Sequence, residues 1–168
     1  MSISRKGVFA GMVLALAALG PGASSVWAGG NDSPQPSTVQ ADSVLPLMTV
    51  HKTPSCGCCG VWVEHMHQAG FTVDVRDMDD LGPVKARLGV PYGKGSCHTA
   101  EVGGYLVEGH VPAADIRRLL QEKPDARGLV LPGMPLGSPG MEVPGGHTQA
   151  YTVELVRPDG STEVFANH

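Results

Sequence analysis

Three cysteines fall within four residues of the chain, at Cys56, Cys58 and Cys59, and this cluster limits the possible folds more than any other feature. The fourth cysteine is Cys97, which His98 follows directly. A disulfide needs a specific distance and direction between its two residues, so this cluster cannot readily form two unstrained bridges with Cys97. Two structural disulfides are therefore the less favoured use of these residues, although four cysteines permit three pairings.

A soft-metal site accounts for the crowding of thiols. Closely set thiolates form a polarisable, negatively charged group that favours monovalent copper over hard ions, and because each thiolate can bridge two ions, the site can hold more than one. The predicted copper ligands are Cys56, Cys58, Cys59, Cys97 and His98. Neighbouring residues on a strand point to opposite faces, so Cys97 and His98 both reach the site only if the backbone is irregular. The preceding Gly95-Ser96 favours such an irregularity.

Two other uses of the cluster remain as alternatives. Structural zinc sites usually draw their ligands in separated pairs, a spacing that the adjacent Cys58 and Cys59 fit poorly. Cys56 and Cys59 form a CxxC pair where a helix is predicted to begin, and a helix N-terminus stabilises thiolates. A thiol–disulfide oxidoreductase is therefore the main alternative function, although the thiol of Cys58 would attack such a disulfide. Both a copper oxidoreductase and a metal-binding protein without turnover fit the pattern.

Three further side chains are weaker candidates for the site, and a fourth is predicted to lie away from it. Met134 and Met141 lie in a long loop, and their thioethers are soft ligands that suit copper. His51 is close to the cluster in sequence, so it is a candidate to ligate or tune the site. His110 precedes the last predicted helix of the core, and its position in the sequence predicts that it is remote from the cluster.

The first 28 residues are typical of a secretory signal. Two basic residues precede an apolar run over residues 8–19, and small residues follow, which predicts export and cleavage after Ala28. Residues 29–45 are rich in polar residues and proline and are expected to form a flexible leader, so residues 46–168 form the domain. Removing 28 of 168 residues leaves 140, which suits one core.

Charge and hydropathy exclude two classes of partner for the mature chain. Loss of two of the 12 basic residues leaves 10 against 16 acidic residues, a formal charge of −6. This balance leaves no basic stripe, so nucleic-acid binding is not expected. The mature part has no second apolar run approaching the about 20 residues that a membrane span needs, so no span is expected there.

The apolar patterns predict an α/β domain with a thioredoxin-like β-α-β-α-β-β-α core. Its predicted elements are a strand at 47–51, a helix at 58–69, a strand at 71–76, a helix at 84–88, strands at 98–102 and 105–108, and a helix from Pro112. The cysteine cluster lies between the first strand and the first helix, where thioredoxin-like folds carry their CxxC. A long loop of Met, Pro and Gly at 131–146 precedes a predicted hairpin at 151–156 and 162–165 that extends the sheet.

Four motifs give the chain a resemblance to a known family. The motifs C-G-C-C-G-V-W, V-P-Y-G-K-G-S-C-H-T, V-G-G-Y-L-V-E-G-H-V-P and P-G-M-P-L-G-S-P-G-M resemble those of the CopG-type copper-resistance proteins of Gram-negative bacteria. The resemblance runs from about Met48 to Phe165. It implies a periplasmic thioredoxin-like domain with a cysteine-bridged cluster of several copper ions, a redox role between the two copper oxidation states, and other periplasmic copper-resistance proteins as partners. The family pattern places its ligands at Cys56, Cys58, Cys59, Cys97 and His98.

Overall fold

The computed structural model describes residues 44–168, and the predicted signal segment and residues 29–43 of the predicted leader lie outside that range. The described chain forms a mixed α/β domain with one seven-stranded sheet and three helices. The strands are Met48–Lys52 (β1), Val73–Asp77 (β2), His98–Val102 (β3), Tyr105–Glu108 (β4), Gly128–Val130 (β5), Thr152–Val156 (β6) and Thr162–Asn167 (β7). The helices are Gly57–Gln68 (α1), Gly82–Leu88 (α2) and Ala113–Glu122 (α3). Within this range, none of the helices has the length and apolar character to cross a lipid bilayer.

The sheet has the strand order β2-β1-β3-β4-β5-β6-β7. The pairs β1–β2 and β4–β5 are parallel, and the other neighbours are antiparallel. The predicted succession of elements through α3 is confirmed, and so is the C-terminal hairpin β6–β7 at one edge of the sheet. Strand β5 was not predicted, because three residues are too few to show an alternating pattern.

The two faces of the sheet carry different layers. Alternate residues of β1 and β3 put Met48, Val50, Ala100 and Val102 on one face, where they pack in the main core with side chains of α1 and α3. On the other face a small apolar cluster joins the end of α2 to the sheet through Leu88, Val90, Leu106, Val130 and Val156. The N-terminus of α1 therefore lies on the main-core side of the sheet.

Helix α1 is set by its apolar face and by the residues at its ends. Cys59, Trp62, Val63 and Met66 recur at helical spacing and are buried. The helix ends where Gly70 adopts a left-handed conformation, with φ of 85°, and its N–H donates to the carbonyl of His67. At the other end Cys56 occupies the N-cap position with an extended backbone, so the cysteine cluster spans the first turn of the helix.

Candidate metal centre

The structure brings the four cysteines together from two segments of the chain. Cys56, Cys58 and Cys59 lie at the start of α1, and Cys97 lies at a bend immediately before β3. Their four sulfur atoms all lie within 4.8 Å of one another. The Sγ atoms of Cys59 and Cys97 are 3.3 Å apart, and those of Cys56 and Cys58 are 3.6 Å apart. The predicted meeting of the helix start and the third strand is therefore present in the fold.

Two of these cysteines are joined in the structure. Cys56 and Cys59 form a disulfide, whereas Cys58 and Cys97 are free thiols. The positive end of the α1 dipole lies at this pair and favours the thiolate form once the bond is reduced. Four thiolates are thus available to a metal only in the reduced protein, and the oxidised form is the arrangement expected of a CxxC pair.

Two histidines extend the cluster on the side of Cys97. The Sγ atom of Cys97 is 3.5 Å from Nδ1 of His98 and 3.0 Å from Nε2 of His110. Both imidazoles have no exposed surface. Cys97, His98 and His110 form a second group whose potential ligand atoms lie within 4.8 Å of one another. Cys97 is therefore shared between a four-sulfur group and a group of one sulfur and two nitrogens.

The prediction that His110 is remote was wrong. Strands β3 and β4 are antiparallel, with Val102 opposite Tyr105 and Thr99 opposite Glu108. This register continues past the end of β4 and brings His110 beside Cys97, and the N–H of Gly109 donates to the carbonyl of His98. The turn at Gly103-Gly104 joins the two predicted strands and fixes their register. Pairing residues outward from that turn places His110 opposite Cys97. Distance along the sequence therefore did not indicate the distance between His110 and the cluster.

Burial sets the protonation states of Cys97, His98 and His110. It lowers the pKa of His98 to about 3 and also lowers the pKa of His110, so both are neutral near pH 7 and carry a free lone pair. Burial, assisted by the nearby Cys58, raises the pKa of Cys97 to about 11. In this oxidised form Cys97 is thus a thiol at neutral pH, and a metal would have to displace its proton.

The tautomer of His110 follows from its second contact. Its Nδ1 lies 2.8 Å from the carbonyl oxygen of Pro139, which can only accept a hydrogen bond. Nδ1 therefore carries the proton, and Nε2 presents its lone pair to Cys97. A histidine that ligates a metal commonly donates its other N–H to a carbonyl or carboxylate in this way. The donor chemistry of the site, soft thiolates beside neutral imidazoles, thus fits copper.

His98 lies beneath the cluster, between two other rings. Its ring centre is 4.4 Å from that of Trp62 and 4.9 Å from that of His110. Among the described residues its Nε2 is buried and has no hydrogen-bond partner. Burial of a polar atom without a partner costs about 1–3 kcal/mol. The other ring nitrogen, Nδ1, is the one that faces Cys97 and would bind an ion there.

The long loop between β5 and β6, residues 131–151, crosses the start of α1. A Cβ atom on Gly140 would lie 2.7 Å from the carbonyl oxygen of Cys58, so the loop backbone rests directly on the first turn. Nε2 of His65, on α1, lies 2.8 Å from Oε1 of Glu142 in the loop. This segment, called the covering loop below, thus packs on the first turn of α1 beside the cluster, and it supplies the carbonyl that orients His110.

The weaker predicted ligands have different surroundings. Met134 is half exposed, whereas Met141 is partly buried, and its backbone bonds to Ser138 within the loop. His51 is not brought to the cluster. It pairs across β1–β3 with Thr99, so it points to the face opposite His98, where its Nε2 lies 3.1 Å from Oε1 of Glu101. Strand alternation separates it from the cysteines despite its nearness in sequence.

Comparisons with known proteins place the chain among copper resistance proteins. A family model described as "Protein of unknown function, DUF411" matches residues 94–141, which include Cys97, His98 and His110. A comparison with curated proteins gives no significant match. Two solved structures match, and they are named "Copper resistance protein copG", forms 1 and 2.

Both similarities extend over nearly the whole of the solved chains. Each solved chain is 46% identical to this protein and superposes with a TM-score of 0.70. The match covers 73% of this chain for form 2 and 74% for form 1, and 98% of the solved chain in both cases. This identity over this length shows common descent, and the protein belongs to the CopG family of copper resistance proteins.

Proposed function

We propose that this protein binds copper at the cysteine cluster and serves copper resistance in the periplasm. The observation that carries the proposal is the convergence of four sulfur atoms within 4.8 Å from two distant segments of the chain. Thiolates select soft ions such as monovalent copper, and imidazole suits copper as well. The solved relatives are named as copper resistance proteins, which supports the same metal.

The proposed ligands are Cys56, Cys58, Cys59, Cys97 and His98, to which the structure adds His110. Cys97 belongs to both groups of potential ligand atoms, so its thiolate lies where it can bridge two ions. This sharing supports a site for more than one copper ion. Copper cycles between its two oxidation states, and a mixed sulfur and nitrogen site accommodates both, which supports the redox role. Met134 and Met141 are proposed as additional soft donors from the covering loop.

The finer description of the fold is part of the proposal. A parallel β1–β2 pair beside the antiparallel strands β3 and β4 supports a thioredoxin-like core over residues 46–168. Residues 1–28 are proposed as the signal peptide and 29–45 as the leader. N-terminal sequencing of protein recovered from a periplasmic extract should begin at Gly29. Other periplasmic copper-resistance proteins are the proposed partners that deliver or receive copper.

Anaerobic titration of the reduced protein with monovalent copper tests the copper proposal. We expect more than one ion per chain, together with a preference for copper over zinc. Replacing Cys58 by serine removes one sulfur at a partly exposed position. It should lower the affinity more than about 100-fold, because changes outside the ligand sphere alone cost 10- to 100-fold. Val61→Ser, at a half-exposed residue of the same helix, is the matched control and should bind as the wild type does.

The Cys56–Cys59 disulfide favours a second candidate, a thiol–disulfide oxidoreductase. A CxxC pair at a helix N-terminus has stabilised thiolates, which makes it suited to disulfide exchange. This function predicts that the metal-free protein reduces or isomerises disulfides and that Cys58→Ser keeps the activity. The same variant therefore separates the two functions. Loss of copper binding with no disulfide activity in either protein favours the copper site alone.

A further inference from the structure

Cys97 and His98 are consecutive residues, yet both reach the metal centre. In a regular strand their side chains would point to opposite faces of the sheet. The chain avoids this by bending at Cys97, one residue before β3 begins. The bend is thus what allows two neighbouring residues to serve one site, and the contacts that hold it determine the geometry of the site.

The side chain of Glu108 holds the bend from both sides. Its Oε1 accepts a 2.6 Å hydrogen bond from the backbone N–H of Ser96, the residue before Cys97. Its Oε2 accepts a 2.7 Å hydrogen bond from Oγ1 of Thr99, the residue after His98. The carboxylate therefore takes the place of a backbone hydrogen-bond partner for Ser96. Through Ser96 and Thr99 it binds the chain on both sides of Cys97 and His98.

Lys85 pairs with this carboxylate from α2, which lies on the face of the sheet opposite the main core. Glu108 has no exposed surface, and a buried carboxylate is costly unless it is paired and hydrogen-bonded. Lys85, on α2, donates to Oε1 of Glu108 and, at 3.0 Å, to Oγ1 of Thr99. The pair thus connects α2, on one face of the sheet, to the bend whose side chains reach the other face.

Glu108 is also tied to the remaining parts of the site. It ends β4 two residues before His110, whose imidazole contacts Cys97. Its own carbonyl accepts a 2.9 Å hydrogen bond from the N–H of Leu131, where the covering loop begins. The side chain fixes the bend, and the backbone of the same residue fixes the start of the histidine segment and of the loop.

We infer that Glu108, paired with Lys85, is the positioning residue that turns the side chains of Cys97 and His98 to the same side of the sheet. This inference rests on the proposed copper site. Glu108 is not a ligand. It acts through Ser96 and Thr99 on the backbone between them. Replacing its carboxylate by an amide leaves one acceptor oxygen for three donors, so the bend loses part of its support.

The test compares Glu108→Gln with the wild type in two measurements. Copper(I) affinity of the reduced protein should fall about 10- to 100-fold, as is typical when a partner of a ligand is lost. In the reduced, metal-free protein, alkylation of Cys97 by iodoacetamide should accelerate at least about tenfold relative to Cys58, because Cys97 leaves its half-buried position. Should Glu108→Gln fail to fold, Thr99→Val removes one of the two hydrogen bonds that hold the bend. It should then lower the copper(I) affinity and raise the alkylation rate of Cys97 in the same way.

The matched control is Glu154→Gln. Glu154, on β6, pairs at 2.6 Å with Lys94, which lies two residues before Ser96. The pair is partly buried and contacts neither Ser96 nor Thr99. We expect this variant to keep wild-type affinity and alkylation rates. Equal effects of the two variants, or a Cys97 rate within twofold of the wild type in Glu108→Gln, would overturn the inference. A wild type without copper binding refutes the proposed function instead, and the alkylation measurement still decides the role of Glu108.

Discussion

Replacing Gly140 by alanine should lift the covering loop away from α1. The added Cβ would lie 2.7 Å from the carbonyl oxygen of Cys58 and 2.9 Å from the backbone nitrogen of Trp62. Both neighbours belong to helix backbone, which cannot move aside as the end of a flexible side chain can. The loop must therefore shift, and the shift weakens the hydrogen bond from His110 to Pro139.

Two contributions set the size of the effect. Gly140 has φ of 84°, a left-handed conformation that costs an alanine about 1–2 kcal/mol. Forcing a methyl group into a packed contact adds about 1–3 kcal/mol. Gly146 separates the two contributions, because it lies in the same loop with φ of 70° but no heavy atom lies within 4 Å of its Cβ position. Gly146→Ala should therefore lose only the conformational part.

The assay is urea unfolding of both variants and the wild type in the metal-free state, followed by copper(I) titration. We expect Gly140→Ala to be less stable than Gly146→Ala by about 1–3 kcal/mol, which is the packing contribution alone. Gly140→Ala should also bind copper more weakly, whereas Gly146→Ala should bind as the wild type does. Equal loss of stability in the two variants would refute the contact between loop and helix on which this reasoning depends.

Two further predictions follow from the shifted pKa values. Because the pKa of Cys97 is raised to about 11, its alkylation rate in the oxidised protein should rise about tenfold per pH unit from pH 7 to pH 10. A plateau near pH 8.5, where an ordinary thiol titrates, would contradict the burial of this thiol. The guanidinium of Arg87 lowers the pKa of Glu101, so their pairing stabilises the protein above the ordinary carboxyl pKa and is lost as the pH falls. The difference in Tm between the wild type and Arg87→Met should therefore be larger at pH 7 than at pH 3, and a difference that is independent of pH would exclude this pairing.

Much of the fold could be predicted from the sequence because its elements have clear local patterns. Strands β1 to β4 and helices α1 to α3 appear in the predicted order, and the predicted hairpin at 151–156 and 162–165 is present as β6 and β7. Strand β5 escaped prediction because the three residues Gly128–Val130 show no period of their own. Its pairing with β4 depends on the whole sheet and not on its own composition.

The candidate site could be predicted in part. The cluster around Cys58 and the approach of Cys97 followed from the topology, and the bend at Cys97 confirms the predicted irregularity before β3. The predictions for His110 and His51 rest on distance along the chain, whereas strand register and strand alternation decide where the two residues lie. Glu108 gave no signal, because a glutamate in a strand is ordinarily a surface residue and only the three-dimensional contacts show it buried.

The burial of Trp62 against His98 has a practical consequence. The indole has no exposed surface, and its Nε1 donates to the carbonyl of Val111. Cleavage after Ala28 would remove Trp27 and leave Trp62 as the sole tryptophan of the exported domain. Its fluorescence would then come from one ring whose centre lies 4.4 Å from the imidazole of a proposed ligand. The domain thus contains an intrinsic optical probe, through which arrival and departure of a quenching ion can be followed in real time without a label.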